Sequence, residues 1–196
     1  MVVTICEKFC PPGWERVKEE ILSRKKTVRA GVEELFAMIP SSKKEAIVRY
    51  AQEVVRWRSG FPEFLQFCKD NGILFTVCSG GVDFFIEPLM APYRKWIHKI
   101  YSLPSDFSGP TIRFTHPHGC ETCGTCKAKI IAEYPKTISV LIGDSITDLH
   151  GAHHAKVVFA RNGLQRYLDE DKISYYPFET FHDIIKTLSS FQGPHA

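Results

Sequence analysis

Asp144 and Asp148 stand four residues apart at the end of the run Ser139-Val140-Leu141-Ile142-Gly143-Asp144-Ser145-Ile146-Thr147-Asp148. An apolar strand that delivers Gly-Asp at its carboxyl end, with a second carboxylate one helical turn later, builds a divalent-cation site at the tip of an α/β sheet. Magnesium beside a phosphate is the chemistry such a pair suits. The same residues have a purely structural use, since Asp144 or Ser145 can cap a helix and Asp148 can sit as a favourable first-turn charge. Upstream, Ser79-Gly80-Gly81 follows the apolar run Ile73–Cys78, where a hydroxyl and several backbone N–H groups can meet an anion. A tight turn that needs glycine only for its backbone angles is the plain alternative. Lys127 opens a helix between these two segments, and a fixed ammonium there can neutralise phosphate charge as a leaving oxygen departs. A lone lysine is ordinarily a solvated surface group. Strand with Ser-Gly-Gly, then Lys, then strand with Gly-Asp-Ser-Ile-Thr-Asp is a more specific order than any member, and it points to phosphate and metal chemistry.

A second cluster precedes the lysine: His116-Pro117-His118-Gly119-Cys120-Glu121-Thr122-Cys123-Gly124-Thr125-Cys126. Two residues between successive thiols is a zinc spacing, and His116 or His118 can complete a tetrahedron with Cys120, Cys123 and Cys126. An iron-sulfur cluster fits less well, because a fourth cysteine is wanted near the place Ile130 occupies. The competing reading, which we place ahead of zinc, is a loop of reduced thiols whose histidines line a substrate entrance. Adjacent His153 and His154 would point about 100° apart on a helix and do not converge on one ion.

Elements that position these groups are legible in the pattern. Trp14 to Trp57 reads as charged amphipathic helices broken at Pro40-Ser41-Ser42, with Ile47, Tyr50, Ala51, Val54 and Val55 at helical spacing. Phe61 to Cys68 reads as a helix ended by Asn71-Gly72, Ile73–Cys78 as a strand buried on both faces, and Asp83–Met90 as the next helix. Thr111–Phe114 reads as a short strand, Lys127–Glu133 as a helix, Ile138–Ile142 and Val157–Ala160 as strands, and Phe181 to Leu188 as a closing helix that frays at Gly193-Pro194. Val2 to Glu7 has a strand's composition. Alternating helices and strands predict an α/β protein with a doubly wound, Rossmann-like parallel sheet, ligands gathering at the strand tips. The expected division is a helical cap over 1–58 and an α/β core over 59–196.

At 196 residues with 44% hydrophobic content, the chain suits one main core with a modest insertion. A net charge of +3 with scattered Lys and Arg gives no polybasic stripe, which argues against nucleic acid while leaving small anions open. No run approaches the roughly 20 apolar residues of a membrane helix, and no secretory leader is recognisable, so no membrane partner and a cytoplasmic location are expected. An odd count of seven cysteines fits reduced thiols better than a disulfide framework. Monomer and homodimer both stay open.

The order Ser79, Lys127, Asp144, Asp148 resembles the second to fourth motifs of the haloacid-dehalogenase (HAD) superfamily of phosphohydrolases. That resemblance implies that Ser79, with Gly80 and Gly81, binds the phosphoryl group, that Lys127 stabilises it, that Asp144 ligates Mg2+ and that Asp148 supports the metal site. It extends through Pro11-Pro12-Gly13-Trp14-Glu15, Ile39-Pro40-Ser41-Ser42 and Ser79-Gly80-Gly81-Val82-Asp83-Phe84-Phe85, and the last of these strings, with the cysteine cluster before Lys127, sets the chain apart from phosphoserine-phosphatase relatives. A magnesium-dependent phosphatase acting on a small phosphorylated metabolite is the implied activity, with Arg58, Asp83, Phe84, Phe85 and the His116–Cys126 loop as specificity positions. The family's first motif, D-x-D-x-T, carries the attacking Asp and follows a first, central strand, and neither occurs in these 196 residues. Absence of that strand implies that Met1 falls inside the first helix after the catalytic loop, in a truncated chain with negligible turnover and marginal stability. Competing functions are a non-catalytic phosphate-binding or regulatory homologue and a zinc-binding interaction protein.

Overall fold

A computed structural model describes residues 1–191. In chain order the elements are α1 (Val2–Phe9), α2 (Trp14–Leu22), α3 (Val28–Ala37), α4 (Lys44–Val54), α5 (Phe61–Asp70), β1 (Thr76–Val82), α6 (Asp83–Met90), β2 (Lys99–Leu103), β3 (Ser105–Asp106) and β4 (Arg113–Phe114). They continue with α7 (Lys127–Ala132), β5 (Val140–Gly143), α8 (Ile146–Ala152), β6 (Val157–Ala160), α9 (Asn162–Glu170), β7 (Tyr176–Pro177) and α10 (Phe181–Phe191). The chain forms two compact units. The first takes in Met1–Val55, Val77–Arg94 and Ile100–Cys126, and the second Arg56–Thr76, Lys95–Lys99 and the chain from Lys127 onward. Among the described residues no helix is long and apolar enough to cross a membrane.

In the first unit α2 packs on α3 and α4 packs on α6 and α1. Gly31 makes the α2–α3 approach possible, because a Cβ there would lie 2.3 Å from Ile21 Cδ1. Thr27 caps α3 by accepting the Ala30 N–H at 3.2 Å. Despite its β-branched residues, Val2–Phe9 is helical: Ile5 and Cys6 are fully buried and Phe9 meets the Tyr50 ring edge-on at 5.7 Å, so burial of one helical face overrides strand propensity. Phe36 stacks on Phe85 and takes the edge of Phe114, which knits α3, α6 and β4 into one core. β3 and β4 pair antiparallel, with Ser105 opposite Phe114. The strand expected over Thr111–Phe114 is shorter, since Thr111 instead bridges Pro40 and the Ile112 N–H goes to Ile39.

β1 pairs with β2 and lies further along than the apolar run Ile73–Cys78 suggests. The Ile73 N–H still closes the end of α5 on the Cys68 carbonyl at 2.8 Å, so extended pairing starts only at Thr76. At its far end the strand runs through Ser79-Gly80-Gly81 to Val82. Neither glycine has positive φ, which rules out the tight-turn reading.

In the second unit β5, β6 and β7 form a parallel sheet in that order, with Leu141 opposite Val158, Ile142 opposite Phe159 and Gly143 opposite Ala160. Alternation sends Phe159 and Ile142 toward Phe64, Cys68, Ile184 and Leu188 of α5 and α10. It sends Leu141, Val158 and Ala160 toward Ala152, Leu164 and Leu168 of α8 and α9. Burial on both faces is why these strands are continuously apolar. Ile138 and Ser139 precede the ladder rather than belonging to it. The expected fray at Gly193-Pro194 lies outside the described residues.

Candidate active site

Strand β5 ends on Gly143, and the chain turns through Asp144 and Ser145 into α8. Asp148, three residues into that helix, reaches back over the turn: one carboxylate oxygen accepts the Asp144 N–H at 2.9 Å and the Ser145 N–H at 3.1 Å. This closes the start of α8 as a capping box does. Gly143 has no alternative here, because a Cβ would sit 2.6 Å from Asp148 Cβ and Cγ. The other Asp148 oxygen pairs with the Lys127 ammonium at 3.1 Å, and Lys127 also donates to the Thr147 carbonyl at 3.3 Å. Both side chains are largely buried, 11% and 9% exposed, so the pair fixes the ammonium rather than leaving it to swing in solvent.

Asp144 is different in kind. Its backbone is engaged, through the Asp148 carboxylate and the Leu164 N–H, but its carboxylate makes no hydrogen bond or ion pair with any described residue. Burial pushes its pKa up from the ordinary 3.8, and the neighbouring Asp148 charge pushes it the same way against the pull of Lys127. A solvent-facing carboxylate that no described residue engages, beside a second acid at a strand tip, is open to a hard cation, so the donor set fits magnesium. Asp148 fits it less directly, since its oxygens already hold two N–H groups and the ammonium. The capping role read as the structural alternative and the supporting role read as the functional one are thus the same geometry.

Gly151 is a site residue that sequence reasoning missed. It lies in α8, and a Cβ there would meet Lys127 Cβ at 2.6 Å and Leu141 Cδ1 at 2.7 Å. Its bare face lets α7 and α8 close enough for Lys127 to reach Asp148. The signal was present, because a glycine inside a helix costs about 1 kcal/mol against alanine and calls for a packing reason.

Ser79, Gly80 and Gly81 belong to the first unit. The Ser79 hydroxyl accepts the Gly81 N–H at 3.0 Å. A Cβ on Gly81 would press at 3.0 Å on the Phe85 ring and on Ile86, whereas one on Gly80 would meet nothing within 4 Å. Gly81 therefore serves packing, whereas the space beside Gly80 is open. Asp83 accepts the Ser105 N–H at 3.1 Å, which ties the start of α6 to β3.

In the same unit the thiol groups of Cys120, Cys123 and Cys126 lie within 4.8 Å of one another. His116 and His118 are not in that group. His116 is spent on Glu33 and on the Gly124 carbonyl, and the His118 ring stands edge-on to Tyr101 at 4.8 Å. Burial opposes the thiolate of Cys120, but hydrogen bonds from Thr122, from the Cys123 N–H and from Cys126 outweigh it and draw its pKa down to about 6. Burial, with the nearby Cys120 charge, pushes Cys123 the other way, to about 11. All seven cysteines are thiols.

Parallel strands whose tip carries Gly-Asp, capped by an acid that holds a buried lysine, are an arrangement suited to phosphoryl groups in an α/β enzyme. The chain belongs to the haloacid dehalogenase-like hydrolase family, whose model matches residues 7–153. It is 42% identical over 198 residues to the 2-hydroxy-3-keto-5-methylthiopentenyl-1-phosphate phosphatase of Brevibacillus brevis, across 97% of this chain and 89% of that one. The enzyme of the same name from Bacillus mycoides is 41% identical over 196 residues, across 95% and 88%. Among solved structures, phosphoserine phosphatase superimposes with a TM-score of 0.70 as a phospho-aspartyl intermediate analogue and 0.71 with substrate bound. Each covers 95% of this chain and 88% of the other, at 13% and 14% identity, so that likeness establishes the fold alone.

Proposed function

We propose that this chain is built for phosphomonoester hydrolysis and that its substrate is 2-hydroxy-3-keto-5-methylthiopentenyl-1-phosphate, the compound named for its bacterial relatives. One observation carries the reading: a buried Lys127 ammonium held at 3.1 Å by Asp148, with an Asp144 carboxylate nearby that makes no hydrogen bond or ion pair with any described residue. Lys127 presents charge to phosphoryl oxygens, its direction fixed by Asp148 and the Thr147 carbonyl. By the family resemblance, Ser79 with Gly80 and Gly81 would bind the phosphoryl group. Asp144 would hold magnesium, which when bound supplies positive charge against the phosphate and its leaving oxygen. Asp148 acts through its neighbours, keeping the Asp144 turn and the Lys127 ammonium in place. A helical cap over 1–58 and an α/β core over 59–196, in the cytoplasm, complete the reading.

The 196 residues contain no D-x-D-x-T, so the attacking carboxylate is not among the residues placed here, and this chain by itself is expected to turn over negligibly. That observation also favours the second reading, a non-catalytic module that binds phosphorylated ligands. The test measures magnesium-dependent phosphate release from a panel of sugar-like phosphomonoesters, by this chain and by the chain preceded by a strand bearing D-x-D-x-T. Release only by the extended protein, lost in Lys127→Met and Asp144→Asn, supports the phosphatase. Phosphate-ester binding without release by either protein sinks it in favour of the module.

A further inference from the structure

We propose that Cys120, Cys123 and Cys126 hold a structural zinc ion that fixes the loop immediately before Lys127. The thiols lie within 4.8 Å of one another, and three sulfurs around tetrahedral zinc at about 2.3 Å would be about 3.8 Å apart. Closing onto the ion therefore asks for small side-chain adjustments and no refolding of the loop. The fourth position goes to a non-thiol donor or to water.

The loop is tied by its own backbone hydrogen bonds around the three thiols. The Cys123 N–H points at Cys120 Sγ at 3.3 Å, the kind of N–H to sulfur bond that orients a ligating thiolate. The Cys120 N–H returns to the Cys123 carbonyl at 3.0 Å, and the Cys126 N–H goes to the His118 carbonyl at 2.9 Å. Gly119 is enforced, since a Cβ there would lie 2.9 Å from the Gly124 carbonyl oxygen, and Gly124 is tightly packed, a Cβ there lying 3.1 Å from His116 Nδ1. Helix α3 anchors the loop from outside. The Arg29 N–H donates to the Thr122 carbonyl at 3.0 Å, the Arg29 guanidinium to the Cys120 carbonyl at 3.4 Å, and Glu33 pairs with His116. A loop this constrained around a buried sulfur group, in a thiol state, has the pre-organisation a metal site needs and a substrate entrance does not.

A further observation points the same way. Thr125, 4% exposed and between Cys123 and Cys126 in sequence, has a buried hydroxyl with no hydrogen-bond partner among the described residues. A metal-bound thiolate or water is the acceptor or donor such a group lacks. Binding releases protons from the thiols, so the zinc form strengthens as pH rises.

The test uses the full chain purified without a histidine tag. Elemental analysis is expected to find about one zinc per chain, absent from Cys120→Ser and Cys126→Ser and retained in Cys10→Ser. Because a serine variant can fail to fold, the chelator-treated wild-type chain is titrated with Co2+ in parallel. A near-ultraviolet thiolate-to-cobalt band that saturates at one ion and is displaced by zinc supports the site. Metal-free protein with no such band after Co2+ addition, or a visible iron-sulfur absorbance, overturns it. None of these readouts depends on phosphate release, so the zinc site and the phosphatase reading stand or fall separately.

Discussion

Two acids a single turn apart do opposite things to the folded state. Asp148 satisfies two backbone N–H groups and a buried ammonium, so Asp148→Ala is expected to destabilise by about 3–5 kcal/mol in urea unfolding, most of it from removing the carboxylate that faces the buried Lys127 ammonium. A loss under about 1 kcal/mol would show that the pair is hydrated in solution. Asp144 gives the reverse sign. Its pKa is raised above 3.8 in the folded chain, so the folded state binds that proton more tightly than the unfolded state. Stability contributed by the protonated group is therefore present at low pH and lost as pH rises from about 3.8 through the higher folded value. Without added metal, Asp144→Asn should match the wild type near pH 3.8 and become the more stable protein toward neutral pH. Urea midpoints that diverge in the opposite direction would mean the carboxylate has a cationic partner. The residue types and order of this site were readable from sequence because strand tips and lysine-bearing helices are short-range patterns. What stayed hidden was which oxygen does what, since the Lys127–Asp148 pairing joins residues on two helices.

Elements are placed by burial more than by propensity, and the errors of sequence reading follow that rule. Val2–Phe9 misleads by its strand composition alone, whereas the helix that the family resemblance implies there is present, with one face to bury. Helix α9 opens on Asn162-Gly163, a turn signal, yet Leu164, Tyr167 and Leu168 are buried at helical spacing and carry it. β2, between Pro92 and Pro104, hides a clear alternation in which Tyr101 and Leu103 point inward. By contrast β6 and α6 lie where the apolar pattern puts them, because a continuous run over Val157–Ala160 and the prolines bounding Asp83–Met90 leave few alternatives. The close approach of α7 and α8 rests on Gly151, and Gly151→Ala tests it. Alanine gains about 1 kcal/mol of helix propensity but inserts a methyl 2.6 Å from Lys127 Cβ, for which overpacking costs about 1–3 kcal/mol. Net destabilisation is expected, together with weaker phosphate-ester binding as Lys127 shifts. A more stable variant with unchanged binding would show that the two helices slide apart without consequence.

For the whole molecule the decisive feature is a parallel sheet with an unmatched side. Among the described residues β5 has β6 as its only ladder neighbour, while Ile138 and Val140, just before and within it, are 78% and 37% exposed. An apolar strand edge with free hydrogen-bonding capacity is a template for another chain, and a net charge of +3 gives only weak repulsion against it. The 196-residue chain is therefore expected to self-associate progressively, its light-scattering mass climbing with concentration instead of reaching the plateau of a closed dimer. Ile138→Lys places a charge at the most exposed apolar position, where it touches no core cluster, so it should suppress that rise while changing stability by no more than about 0.5 kcal/mol. Mass that holds at the monomer value for the wild type over the same concentrations would mean that this edge is protected in solution. Mass that climbs equally in Ile138→Lys would move the contact to another surface.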